Sequence, residues 1–165
     1  MHLSDIALQS QGVLDIDTCF AEARTLHPSN DGWFATLRKI QGGKPVHMLH
    51  HMSSLDTVVR ALNKVPEAYL SQASFIHAKR QVSAFKSINC AFVDIDCYSS
   101  KPNSPQTTPT EAFVQDLLAN ARNAGFPEPS YVTLSGRGVY CKWIFDRPIP
   151  AHQLTRWQAL QNVLT

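Results

Sequence analysis

Cys90-Ala91-Phe92-Val93-Asp94-Ile95-Asp96 is an apolar run that ends in two carboxylates. Its reading decides the fold. In a strand successive side chains alternate faces, so Asp94 and Asp96 point the same way while Val93 and Ile95 turn to the opposite side, into a core. Two carboxylates on one sheet face form a hard, oxygen-rich site. Mg²⁺ or Mn²⁺ suits such a site, because these ions take one or two carboxylates and keep coordination positions for the phosphates of a nucleotide.

About forty residues later a second apolar hairpin turns through Ser135-Gly136-Arg137-Gly138-Val139-Tyr140. A glycine-rich turn with a guanidinium can offer backbone N–H groups and a planar cation to phosphate oxygens. Taken alone, an Asp-Ile-Asp sequence reads more readily as a solvated strand end or a helix-capping loop. With the basic turn beside it in sequence, the pair supplies both halves of a triphosphate site, carboxylates for metal and donors for phosphate.

The flanking pattern predicts alternating helices and strands. A helix is expected over Ile16 to Leu26 with Asp15 or Asp17 as its N-cap, then a turn at Pro28-Ser29-Asn30-Asp31-Gly32. Strands follow from Trp33 to Ile40 and from Val46 to His51, with Ser53 or Ser54 capping a helix to about Asn63. Ala68 to Ile76 reads as extended, and a polar stretch from His77 to Ser87 leads to the acidic strand. After a Pro- and Ser-rich loop from Ser99 to Thr110, a helix runs from Glu111 to about Ala124, with Phe113, Leu117, Leu118 and Ala121 along one side and Gly125 at its end. Tyr131 to Leu134 and Val139 to Phe145 form the second hairpin, and a last helix starts near Ala151.

At this point the order of motifs resembles a known family. An apolar strand ending Asp94-Ile95-Asp96, an intervening helix, and Ser135-Gly136-Arg137-Gly138-Val139-Tyr140 before an apolar strand with Trp143 are similar to the archaeo-eukaryotic primase superfamily, above all to plasmid and phage replication primases. The resemblance extends over roughly residues 30 to 165, with weaker likenesses at Ala68 to Phe75, Arg80, Trp143 to Pro150 and Arg156-Trp157. It implies a nucleotidyltransferase that makes primers in plasmid or phage replication, with Asp94 and Asp96 as catalytic metal ligands. It also implies that Ser135, Gly136, Arg137, Gly138, Tyr140 and Lys142 contact the nucleotide. Nucleoside triphosphates and a single-stranded DNA template are the implied partners, together with a helicase or further domains of a longer protein. Lys79 and Arg80 are the candidates for template contact, with Lys142 also on that path.

Two positions depart from the family pattern. Many members carry His where this chain has Tyr140; a phenol lacks the imidazole's charge and keeps a hydrogen bond for phosphate or sugar. A third acidic residue on a later strand is also expected, and Asp146, the only acid after the second motif, reads as part of a turn. The expectation is a catalytic domain over residues 30–165, incomplete at its C-terminal side, preceded by a helical or irregular segment over 1–29. The fold class is α+β: an RNA-recognition-like antiparallel or mixed sheet with flanking helices and a small N-terminal α/β module. Two other readings stay open, a nucleotide- or nucleic-acid-binding module without catalysis and a metal-dependent nuclease.

Composition narrows the remaining classes. The chain has 165 residues, 44% hydrophobic and 17% charged, with a net charge of +2, so a basic nucleic-acid surface must be made by folding rather than by a charged tail. The first residues lack a signal-peptide profile, and no window reaches the ~18 apolar residues of a membrane span, which predicts a cytoplasmic protein with no membrane partner. Cys19, Cys90, Cys97 and Cys141 show no CxxC spacing, and Cys90 and Cys141 read as buried thiols. His47 and His50 face opposite ways on a strand, which favours surface or packing roles over metal, and Trp143 and Trp157 read as core.

Overall fold

The computed structural model describes residues 16–39, 43–65, 68–96, 111–134 and 138–164. Their elements are α1 (Ile16–Leu26), β1 (Trp33–Arg38), β2 (Val46–His51), α2 (Leu55–Leu62), β3 (Ala68–Phe75), β4 (Phe85–Asp96), α3 (Glu111–Asn123), β5 (Tyr131–Leu134), β6 (Gly138–Pro150) and α4 (Leu154–Leu164). The strands follow the order β2-β1-β3-β4-β6-β5. Helices with a mainly antiparallel sheet make the class α+β, as the alternating pattern predicts. Among the described residues no helix is long and apolar enough to cross a membrane.

The chain divides into two compact units. One contains β1, β2, β3 and the first half of β4 with α1 and α2. Phe34 of β1 lies opposite His50 of β2 and Ser74 of β3. It is fully buried and packs with Ala23 of α1, Met52, and Leu55 and Val59 of α2. The helices therefore cover the even-numbered face of β1. Ser54 directly precedes α2 and makes no capping bond, contrary to expectation, because a 3-10 turn over Met52–Ser54 comes first. The acceptor there is His51 Nδ1, which takes the Ser53 N–H at 3.3 Å, while Ser54 Oγ donates to the His51 carbonyl.

His27 closes this core in a way the sequence hid. Only 3% of it is exposed. Its Nε2 lies 2.8 Å from the Ser71 carbonyl, which can only accept, so Nε2 carries the proton and Nδ1 accepts from Ser74 Oγ at 3.0 Å. Burial pushes its pKa down to about 4. A histidine depressed in the fold and ordinary in the unfolded chain contributes stability above about pH 6.5 that is lost as pH falls toward 4, because the unfolded chain then binds the extra proton. The expected loss is up to about 3 kcal/mol over that window. Denaturant unfolding at stepped pH should show this slope, and a His27→Gln variant should show it flattened.

The other unit contains the second half of β4, α3, β5 and the first half of β6. Its core joins Val114 and Leu118 of α3 to Val132, Val139 and Cys141, with Val93, Leu117 and Trp143 packed against it. The buried face of α3 thus runs through Val114 rather than Phe113, which is 40% exposed. Gly125 ends the helix as predicted. It takes a positive φ of 83°, and its N–H and that of Phe126 return to the carbonyls of Arg122 and Ala121.

β6 runs past its expected end at Phe145, through Asp146 to Pro150, so Asp146 sits in a strand and not in a turn. β5 pairs with β6 only as far as Lys142. Beyond that point one side of β6 has no β5 residue to bond, and Pro148 and Pro150, which lack an N–H, are tolerated there.

Candidate active site

The acidic pair and the residues beside it belong to one unit. Val93 packs into the α3 core, so the two-residue strand period sends Phe92, Asp94 and Asp96 to the face away from α3. Val139 and Cys141 are buried in that same core. Tyr140 and Lys142 therefore share the open face. The Phe92 and Tyr140 rings stack there, with centroids 5.8 Å apart and planes within 11°. Lys142 Nζ lies 5.0 Å from the Tyr140 ring centroid. On β5, Thr133 stands opposite Tyr140 and Tyr131 opposite Lys142.

Asp94 and Asp96 are both exposed at the end of β4. Partial burial, and then the neighbouring Asp96 carboxylate, hold the Asp94 carboxyl above its ordinary value. Like charges this close in sequence and on one face repel each other. A cation between them would relieve that repulsion, so this pair fits a divalent ion bound by carboxylate oxygens. Among the described residues no group of three or more His, Cys, Asp or Glu side chains gathers as a metal cluster. Asp146, on the later part of β6, belongs to the other unit.

Gly138 has a structural reason of its own. A Cβ there would overlap the Ile95 carbonyl oxygen and meet its carbon at 3.2 Å. The start of β6 thus lies against the end of β4, and the Gly138–Ile95 and Phe92–Tyr140 contacts show the strands running in opposite directions. Ser135, Gly136 and Arg137 lie outside the described residues. The residues that bracket them, Leu134 and Gly138, close β5 and open β6.

Sequence reasoning missed Gln161. Only 8% exposed on α4, its side-chain amide accepts the Phe92 N–H at 3.2 Å and donates to the Phe92 carbonyl. One glutamine thereby satisfies both backbone groups of the residue that stacks on Tyr140, as a neighbouring strand would. Local pattern gives no sign of this, since 69 residues separate the partners.

Lys79 and Arg80 belong to the other unit and are exposed in the connection between β3 and β4. Arg80 donates to His47 Nδ1 at 2.9 Å. His50 stacks on Phe34 and bonds Thr36, so the histidines of β2 serve packing and surface contacts, as their spacing suggests. Cys90 and Cys141 are buried thiols, and burial pushes the Cys141 pKa up to about 11. Trp157 and Trp143 anchor their indole N–H groups on the Cys90 and Pro127 carbonyls, each at 2.8 Å.

No protein-family model matches the chain. Over 96 residues, 58% of its length, the chain is 32% identical to a "Replication protein" of Clostridium perfringens. That match spans 22% of the relative, about a fifth of its length. Among solved structures, the AEP domain of the cyanophage S-2L primase-polymerase superposes with a TM-score of 0.59, covering 93% of this chain and 72% of that one at 15% identity. The chain therefore shares its fold with that AEP domain.

Proposed function

We propose that this chain is a nucleotidyltransferase of the DNA primase type, acting in the cytoplasm on a single-stranded DNA template in plasmid or phage replication. The observation that carries the reading is the open face of β4 and β6, where the Asp94 and Asp96 carboxylates stand with Tyr140 and Lys142. The fold shared with a primase-polymerase domain and the sequence likeness to a replication protein support it. The catalytic domain is taken as residues 30–165, with a helicase or further domains as partners in a longer protein.

Asp94 and Asp96 would hold Mg²⁺ or Mn²⁺. When bound, such an ion would supply positive charge to offset that developing on the leaving pyrophosphate. The chain's own groups do the rest. Arg137, between Gly136 and Gly138, pairs with phosphate; Ser135 and the Tyr140 hydroxyl add hydrogen bonds, and Lys142 adds positive charge beside the Tyr140 ring. Lys79 and Arg80 contact the template backbone as cations do on any nucleic acid.

Primer synthesis on single-stranded DNA with labelled nucleotides tests the reading directly: metal-dependent products are expected. Nucleotide binding without any incorporation would instead favour the non-catalytic module, for which Tyr140 in place of the family's His is the specific argument. Arg137→Lys should weaken triphosphate binding about tenfold, because the charge remains while the planar fork is lost. If Arg137→Ala binds nucleotide as well as the parent, the turn is only a hairpin.

A further inference from the structure

β2 is an end strand, and among the described residues only β1 lies beside it. Which backbone groups it leaves free follows from that partner. The Gly32 carbonyl accepts the Met52 N–H just past the end of β2, whereas the Ala35 N–H donates to Ser71 Oγ on β3. Successive residues of a strand point their N–H and C=O to opposite edges, so the even residues of β1 face β2. The register sets Phe34, Thr36 and Arg38 against His50, Met48 and Val46. Those pairs exchange the ladder bonds, and His47, Leu49 and His51 aim their backbone groups away from the sheet. Ser54 Oγ donates to the His51 carbonyl.

Proteins guard such an edge with lysine, proline, an inward charge or a bulge. β2 has none of these. Val46–His51 contains no Lys, Arg, Asp, Glu or Pro, and its pairing with β1 runs through six positions without a shift. Val46 and Met48 lie 39% and 56% exposed. The two ends of the strand also differ in charge. Exposed Arg38, Lys39 and Lys44 flank the Val46 end. At the His51 end stands Asp31, whose side chain is 88% exposed although it pairs with Lys86; Lys86, and more weakly His51, hold its carboxyl below the ordinary value. Antiparallel pairing sets the Val46 end of one strand against the His51 end of the other, so a second copy of β2 brings basic residues toward Asp31 at both ends of the pair. A strand from an unrelated protein has no such built-in match.

We propose that β2 pairs edge to edge with β2 of a second copy of this chain, antiparallel about a two-fold axis at Leu49. The two Leu49 residues then exchange N–H···O=C bonds, and each His47 stands opposite the partner's His51. The two Met48 side chains become diagonal neighbours across the axis, within reach of each other, and leave water together. None of these residues belongs to the unit that holds Asp94 and Asp96, so a failure of nucleotide binding leaves this pairing untouched.

Sedimentation equilibrium of the full chain, without metal or nucleotide, tests this over about 1 μM to about 1 mM, where an interface this small should give a dimer with a dissociation constant of about 100 μM. Met48→Lys sets two ammonium groups beside each other across the axis, and Leu49→Pro deletes the central donors while sparing the bonds to β1. Each should raise the dissociation constant about tenfold or more. Hydrogen exchange gives a second reading: the Leu49 amide should gain protection as protein concentration rises, while the Met48 amide, already bonded to β1, should not. Met48 is largely exposed, so its lysine variant should melt with the parent. A parent that stays monomeric at the highest concentration would overturn the proposal. So would a dimer that forms equally well with Met48→Lys, since another surface would then hold it.

Discussion

Replacing Asp94 and Asp96 together by alanine is expected to abolish Mn²⁺-dependent binding of a nucleoside triphosphate while the sheet stays folded. The two side chains are exposed and lie on the face away from the α3 core, so their removal opens no cavity. Their mutual repulsion, felt at Asp94, also disappears. Two charge-assisted ligands are lost at once, which should cost about a hundredfold or more in metal-dependent affinity. Calorimetric titration with nucleotide in the presence and absence of Mn²⁺ separates this from residual phosphate binding at the basic turn. Metal-dependent affinity that survives in the double variant would place the ion elsewhere.

Gly138→Ala should be the most damaging conservative change in the acidic unit. The added methyl would overlap the Ile95 carbonyl oxygen and crowd its carbon at 3.2 Å. A backbone carbonyl inside a sheet cannot turn aside as a flexible side chain can, so β6 must separate from β4. That separation would loosen the buried Val139 and unstack Tyr140 from Phe92. We expect about 3 kcal/mol or more of lost stability, measured by denaturant unfolding, with nucleotide binding lost alongside. Parental stability in this variant would show that the glycine serves the ligand and not the strand contact.

Most of what positions the acidic pair was legible because it is periodic. The alternation through Val93, Asp94, Ile95 and Asp96 places both carboxylates on one face, and Val139, Tyr140, Cys141 and Lys142 repeat the alternation on β6. Helix ends were legible where one residue's chemistry decides them, as at Gly125. What escaped depends on partners distant in sequence. Gln161 reads as a solvated helix residue until the Phe92 backbone is seen beneath it, and His27 reads as polar punctuation before Pro28 although Ser71 and Ser74 bury it. The stack of Phe92 on Tyr140 is of the same kind, since it joins rings from two different strands. Pro148 and Pro150 misled in the other direction, since proline argues against a strand only where both edges must bond.

The claim on which the account turns is that Asp94 and Asp96 hold a divalent ion for a bound triphosphate, and electron paramagnetic resonance of Mn²⁺ addresses it most directly. The free-ion signal should fall when the chain is added and fall further with a non-hydrolysable nucleoside triphosphate, because metal and phosphate share one site. The same titration of the Asp94→Ala/Asp96→Ala chain should leave the signal of the ion–nucleotide mixture unchanged. Equal loss of signal with the parent and the double variant would contradict the account.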